Sequence, residues 1–346
     1  MPMSSAQSSP GEEVVISGLA GCFPESQNVY QLRDNLFNKV DMVTEDDQRW
    51  KFEHHQLPKW AGKLPNITKF DASFFGINYK QAHVLDPLSR LMMERTYEAI
   101  VDAGVNPQHL KGQKVGVFVG ACFSETEKFW YFEKPHENGH GLTGCIRAMY
   151  ANQISHWLGI TGPSYAVDSA CSSSSYAFEQ AYRAILNGSC DSAIVASAQL
   201  CLHPYLSLFF FQIGVLSHQG RCKVFDNDAD GYARSEAACV MFLQKTRDAK
   251  RIYATVVHAK NNSDGFTDEG ILHPSRHAQK LLLEQCYQEC GIDPSAVKYI
   301  EAHGTGTRVC IFKFYFPAHS QKLSADKINI FLALVRVSDG YNFVLA

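Results

Sequence analysis

The chain has 346 residues, 45% of them hydrophobic and 19% charged, with a formal net charge of -3. That is enough apolar material for one large domain or two fused halves. It also argues against nucleic acid or an anionic membrane as the main partner, since either would want a basic face. Its eleven cysteines are scattered without a compact spacing framework, so reduced thiols are expected, most of them packed as small hydrophobes.

In chain order, residues 1–11 ("MPMSSAQSSPG") have no apolar core and read as a disordered leader, not a secretory signal. "EEVVISGLAGCFP" reads as a β-branched strand, followed by a helix through "NVYQLRDNLFNK". "PLSRLMMERTYEAIVDAG" is an amphipathic helix closed by glycine, and "KVGVFVGAC" has the small and branched residues of a buried strand. Residues 149–188 read helix, turn, short strand and helix, and "SAIVASAQL" is another buried strand. This alternation predicts an α/β fold with largely parallel sheets covered on both faces.

After the loop-rich "GRCKVFDNDADGYARSE" the pattern restarts, with strands in "AACVMFLQK" and "YATVVHAKNNSDG". A helix in "SRHAQKLLLEQCYQECG" and a strand running into a glycine turn in "AVKYIEAHGTGT" follow. The expected organisation is a first half over 12–240, the start of a second over 241–307, and an irregular, aromatic tail over 308–346 that completes no second unit. The longest apolar runs, such as "YLSLFFFQIGVL", are too short to span a bilayer as helices.

Cys171 lies in "VDSACSSSSYAFEQAY", between a short strand and a helix start. Unpaired N–H groups and the positive end of the helix dipole would lower its pKa, and the same N–H groups could hold a carbonyl oxygen during acyl transfer. Ser172, Ser173, Ser174 and Ser175 are small enough to admit a substrate. Taken alone, these features leave a packed thiol as the simpler reading. His303 stands at the end of a strand before Gly304 and Gly306, a common place for functional residues in α/β proteins, although a surface histidine fits as well. The glycines make no dinucleotide fingerprint.

Cys286 and Cys290, with His273 and His277 nearby, have no standard zinc spacing and read as core packing beside solvent-facing histidines. "DNDADG" at 226–231 resembles a calcium loop in part, but Glu236 falls one residue short of the closing position, so a turn is expected. No metal is implied. No G-x-S-x-G elbow supports a serine hydrolase.

"GPSYAVDSACSSSSYAFEQA" resembles the active-site cysteine motif of β-ketoacyl synthases, and "YIEAHGTGT" resembles their first histidine motif, in the same order and separation. "ISGLAGCFPES", "VTEDDQRW", "GKLPNITKFDASFFGI", "QAHVLDPLSRLMMERTYEAIVDAG", "GVFVGACFSET", "GVLSHQGRCKVFDNDADGYARSEA" and "NNSDGFTDEGILHPS" are similar to the ketosynthase domain of animal type I fatty acid synthase. The resemblance covers roughly residues 12–307.

It implies a thiolase-like layered fold (αβαβα), with the first half complete and the second incomplete. It also implies a cytoplasmic, usually dimeric enzyme of fatty acid biosynthesis that works beside the other synthase domains. Cys171 would take an acyl chain from the phosphopantetheine thiol of an acyl-carrier protein and contribute its N–H to the oxyanion hole. Loss of CO₂ from malonyl carrier protein would then give a carbanion that attacks the thioester. His303 would stabilise the enolate, and Thr305 and Thr307 would hydrogen-bond the pantetheine arm. No metal or redox cofactor is implied.

Two departures stand out. "DPLSR" replaces a Gln-rich spacing, and residues 308–346 lack the family's lysine and second histidine, His319 standing in the dissimilar "PAHSQK". The tail reads as a foreign ending, such as a mis-joined exon, and the chain is expected to be inactive in condensation. The alternatives are a polyketide synthase ketosynthase and a non-catalytic fragment.

Overall fold

In the computed structural model the described residues are 11–50, 57–137, 139–268, 270 and 274–307. The backbone of the strand segments 313–314, 323–324, 331–337 and 342–345 is described as well. Apart from Gly11, the expected leader lies outside them.

In chain order the main elements begin with β1 (Val14–Cys22), α1 (Val29–Phe37), α2 (Pro87–Asp102), β2 (Val115–Gly120), α3 (Ala148–Leu158), β3 (Ser164–Val167), α4 (Ser173–Leu186), β4 (Ser192–Gln199) and α5 (Pro204–Gln212). They are followed by β5 (Ala237–Lys245), β6 (Ala254–Asn261), α6 (Arg276–Cys290), β7 (Tyr299–Glu301), β8 (Phe331–Val337) and β9 (Asn342–Leu345).

Every residue of β2 is buried, because helices cover both faces of the sheet it belongs to. Val115, Val117 and Val119 pack in one cluster with Met92 and Ile100 of α2 and with Tyr150 and Ile154 of α3. Phe118 points the other way, into a cluster with Ala177, Phe178 and Ala181 of α4. Alternate side chains thus serve opposite layers, and the sequence shows an unbroken apolar run instead of alternation. Asp86 starts α2 by accepting the Leu88 N–H at 2.8 Å, with Pro87 just inside the helix.

These layers meet on a nine-stranded sheet of order β3-β2-β4-β5-β1-β6-β8-β9-β7. The expectation of a largely parallel sheet is corrected. β2 runs parallel to β3 and β4, but β5 is antiparallel to both β4 and β1, and β6 is antiparallel to β1. Periodicity reports burial on both faces, and a central antiparallel strand under helices gives the same apolar run as a parallel one.

The segment read as an irregular tail also enters the sheet. β8 pairs antiparallel with β6, from Phe331↔Asn261 to Val337↔Ala254, and β9 pairs parallel with β7 from Phe343↔Tyr299.

β6 and α6 meet through a charged contact. His258 Nε2 lies 2.9 Å from Glu289 Oε2, and Lys260 Nζ donates to Glu289 Oε1 at 2.6 Å. Burial pulls the His258 imidazole below its ordinary value, in spite of the facing carboxylate. Burial alone would raise Glu289, but its bonds to Lys260 and His258 hold it low. Both groups therefore bind fewer protons folded than unfolded, so stability is lost as pH falls below the ordinary histidine value of about 6.5. Thermal unfolding should show a lower Tm at about pH 5.5 than at about pH 7.5, the interval spanning the ordinary histidine value. His258→Gln should narrow that gap.

Candidate active site

Because β2, β3 and β4 are parallel, their carboxyl ends open on one edge of the sheet, where connecting turns gather. The turn after β3 carries Cys171. Ala170 holds φ +53°, a left-handed backbone that costs a non-glycine residue on the order of 1–2 kcal/mol. Hydrogen bonds clamp it. Its N–H donates to Asp168 Oδ1 at 3.2 Å, and its carbonyl accepts from Ser173 Oγ at 2.6 Å and Cys122 Sγ at 3.0 Å. Ser173 Oγ also accepts the Ser169 N–H at 2.9 Å, and Ser172 Oγ donates to the Ser169 carbonyl at 2.9 Å. Burial pushes the Cys122 thiol up to about 11, so it stays protonated as a donor.

The strained turn leads through a single tight turn, Ala170–Ser172, into α4 and leaves Cys171 exposed. The serine run therefore does more than stay small: two of its members lock the turn. Gly120, at the end of β2, lets α4 start this close. A Cβ there would lie 2.5 Å from the Ser174 nitrogen and 2.6 Å from the Ser173 carbonyl carbon.

The expected lowering of the Cys171 pKa is corrected. Although the residue as a whole is exposed, the protein around its sulfur displaces enough water to push the thiol up, and its own N–H and the Arg234 guanidinium pull the other way without overcoming it. An argument from the helix end alone leaves out the loss of water around the sulfur.

Just past the carboxyl ends of β2 and β4, Glu125 and Cys201 join a cluster of buried charged groups that the sequence did not single out. Arg234 Nη2 donates to Cys201 Sγ at 3.1 Å, and its guanidinium lies 5.1 Å from the Phe210 ring centre. Glu125 Oε1 stands 3.9 Å from Arg234 Nη2, while its other oxygen accepts the N–H groups of Leu202 at 2.6 Å and His203 at 2.5 Å. Burial raises the Glu125 carboxyl. Glu236 is fully buried, held by Arg49 through Nε at 2.9 Å and Nη2 at 2.7 Å, and accepts the N–H groups of Leu64 at 2.8 Å and Cys201 at 3.0 Å. The only advance signal was two charged residues in "YARSEA" just before an apolar strand.

His303 follows β7 and is exposed, Thr305 is half-buried and Thr307 is buried. Gly304 and Gly306 have φ of +59° and +69°, and the Gly306 carbonyl accepts the Gly231 N–H at 3.0 Å. A Cβ on Gly306 would meet the Lys223 backbone at 3.0 Å. The histidine loop therefore rests on the 222–231 loop. The next residue, Tyr232, is half-buried, and the loss of water around its hydroxyl pushes it up to about 12; it lies within electrostatic reach of Arg234 and Cys171. One segment, 222–234, thus joins the surroundings of the two candidate residues.

The turn read in "DNDADG" is present: the Asp228 N–H donates to Asp226 Oδ1 at 2.9 Å, and Lys223 pairs with Asp230 at 3.2 Å. Cys286 is buried against Val257 and Leu283 with Cys290 beside it, and His277 is exposed. His273 and His319 lie outside the described residues. Among the described residues no group of three or more His, Cys, Asp or Glu could hold a metal ion, and ten cysteines are free thiols. No described helix is long and apolar enough to cross a membrane. A cavity of about 320 Å³ lined by Asp41, Trp60, His218 and Arg221 contains none of the candidate residues.

Comparison with known proteins gives the following. The family model described as "Beta-ketoacyl synthase, N-terminal domain" matches residues 11–249, and "Beta-ketoacyl synthase, C-terminal domain" matches residues 253–310. The chain is 50% identical over 298 residues to a protein named fatty acid synthase from Anser anser anser, covering 86% of this chain and 85% of that one. It is 34% identical over 329 residues to polyketide synthase PksM of Bacillus subtilis, covering 88% of this chain and 8% of that one. Among solved structures it is similar to the ketosynthase from module 6 of the bacillaene synthase from Bacillus subtilis, with a TM-score of 0.78, 32% identity, and coverage of 86% of this chain and 52% of that one. The oxazolomycin ketosynthase domain OzmH KS7 of Streptomyces albus gives a TM-score of 0.79 at 31% identity, with coverage of 85% and 54%. The chain thus spans about half the length of these solved ketosynthases.

Proposed function

The chain belongs to the β-ketoacyl synthase family, and from that premise we propose that Cys171 is an acyl-accepting nucleophile serving fatty acid biosynthesis. The observation that carries the reading is the clamped, left-handed Ala170, which spends backbone strain to present an exposed Cys171 at the start of α4. The Cys171 thiolate attacks the thioester carbonyl of an acyl chain on a carrier protein's phosphopantetheine arm. The sulfur–carbon bond forms, the arm leaves as its thiol, and the N–H of Cys171 steadies the oxyanion. In the condensing step a malonyl thioester loses CO₂, and its carbanion attacks the acyl carbonyl on Cys171, so that a carbon–carbon bond forms, the sulfur–carbon bond breaks and Cys171 leaves as the thiolate. His303 donates a hydrogen bond to the enolate oxygen, with Thr305 and Thr307 along the pantetheine arm. No separate cofactor is called for.

The partners are an acyl-carrier protein, a second copy of the chain and the other domains of a fatty acid synthase, in the cytoplasm. We assign residues 12–240 to the first thiolase-like half and 241–307 to the start of the second. None of the 346 residues forms the lysine–histidine motif that partners His303 in the family. Since one such donor is worth about 10²–10³ in rate, the chain as it stands is expected to accept an acyl group but to condense poorly. Polyketide synthases are also relatives, and the higher identity to the goose fatty acid synthase favours the fatty acid reading.

Intact mass after incubation with an acylated carrier protein tests the first step. The wild type should gain one acyl mass, and Cys171→Ala should gain none. An equal adduct on both proteins would sink the assignment.

A further inference from the structure

The N–H and the carbonyl of the left-handed Ala170 are tied into one closed ring of hydrogen bonds, and the ring passes through a side chain outside the turn. The Ala170 N–H donates to Asp168 Oδ1 at 3.2 Å, and Asp168 Oδ2 pairs with Arg147 Nη1. The same Nη1 donates to the Cys122 carbonyl at 3.0 Å, and the Cys122 thiol donates back to the Ala170 carbonyl at 3.0 Å. Arg147 is the member that joins the loop after β2 to the turn after β3.

Arg147 works from a firm base. It stands immediately before α3, whose Tyr150 and Ile154 are fully buried. Tyr150 donates to the buried Asp86 Oδ2 at 2.8 Å, which also accepts from Thr126 Oγ1 at 2.7 Å, so the start of α3 is fastened to the segment that follows Cys122. The ion pair itself lies in solvent, with the side chains of Arg147 and Asp168 44% and 43% exposed. Such a pair adds little to stability, since water screens it and two side chains must be ordered to make it. What it holds is a strained backbone conformation one residue before Cys171.

We propose that Arg147 is a positioning residue for Cys171, an exposed cation that keeps the nucleophile turn in its reactive shape through Asp168 and the Cys122 carbonyl. The inference rests on the assignment of Cys171 as the nucleophile. Nη1 makes both bonds from one nitrogen, so the turn needs a compact cationic donor at that point and not the two-pronged fork of a guanidinium. Asp168 has two separable duties: Oδ1 shapes the turn locally, and Oδ2 receives Arg147.

The test uses the full chain and an acylated carrier protein, and time-resolved intact mass gives the maximal acylation rate of Cys171 and the KM for the carrier. Arg147→Ala should lower the maximal rate about tenfold with KM unchanged, less than the loss of about 10² that a misplacement of about 1 Å brings. The smaller loss is expected because Ser173 and Cys122 still hold the Ala170 carbonyl. Arg147→Lys should recover most of the rate. Asp168→Asn keeps an acceptor for the Ala170 N–H but removes the charge that meets Arg147. It should lose as much as Arg147→Ala, and the two changes together no more than either alone. Arg33→Ala, which removes an exposed arginine from α1, should change nothing. Each variant should keep its Tm within about 3 °C of the wild type. Hydrogen exchange in peptides covering Ala170 reads the turn without acyl transfer, and should quicken in Arg147→Ala and Asp168→Asn but not in Arg147→Lys. An unchanged rate in Arg147→Ala, additive losses in the double variant, no recovery in Arg147→Lys, or losses that track Tm overturn the proposal. If exchange responds as expected but no form accepts an acyl group on Cys171, the nucleophile assignment fails and the link from Arg147 to the turn stands.

Discussion

Gly120→Ala is expected to slow acylation of Cys171 by about 10²-fold, because the new methyl would occupy space now filled by main chain. The contacts at 2.5 and 2.6 Å are to backbone atoms of Ser174 and Ser173, not to a flexible side chain. Relief requires α4 to move away from β2 by on the order of 1 Å, and a displacement of that size at a reacting group is enough for a loss of this order. Ser173 would move with it and loosen the clamp on Ala170. Time-resolved intact mass with an acylated carrier protein gives the rate. Gly139→Ala, where a Cβ meets nothing within 4 Å, should leave it unchanged. An unaltered rate in Gly120→Ala would show that the start of α4 does not aim Cys171.

Glu236→Ala should be the most destabilising of the changes considered, by about 3–5 kcal/mol in urea unfolding. It strips Arg49 of both its carboxylate bonds and leaves two buried N–H groups, of Leu64 and Cys201, without an acceptor. The cost arises mainly from the stranded guanidinium. The double change Arg49→Leu with Glu236→Leu should therefore recover much of the loss, because an apolar pair of similar volume leaves no buried charge behind. Equal losses in the single and double variants would count against this account.

How far the sequence foretold these features depended on how local their causes are. The helices 87–102, 173–186 and 276–290 announce themselves through apolar spacing and their ends, and β2 through its run of small and branched residues. Strand direction was hidden, because β1 finds β5 from across the chain and no local pattern encodes that partner. "FLALVRV" lies in a stretch with weak caps and no sustained period and so reads as irregular, yet its backbone fits beside β6. Cys171 and His303 were legible as motif residues, whereas the direction of the Cys171 shift was not. Desolvation depends on how the rest of the chain packs around the sulfur, which a sixteen-residue stretch cannot reveal. Arg234 and Glu236 looked like ordinary loop charges until burial gave them weight.

The central place of β1 has a consequence for how the chain is made. Ser17 donates to the Phe242 carbonyl, a partner 225 residues away, and the neighbour on the other side, β6, comes later still. At the usual pace of about 5–20 residues per second, a ribosome needs roughly ten seconds or more to bring both flanking strands out. Until then β1, nine residues of which eight are buried in the folded protein, has no sheet to join. The earliest of the described strands to leave the ribosome is thus among the last to be seated. Chaperone capture and misassembly are most probable in that interval, before the sheet that carries the Cys171 turn is complete.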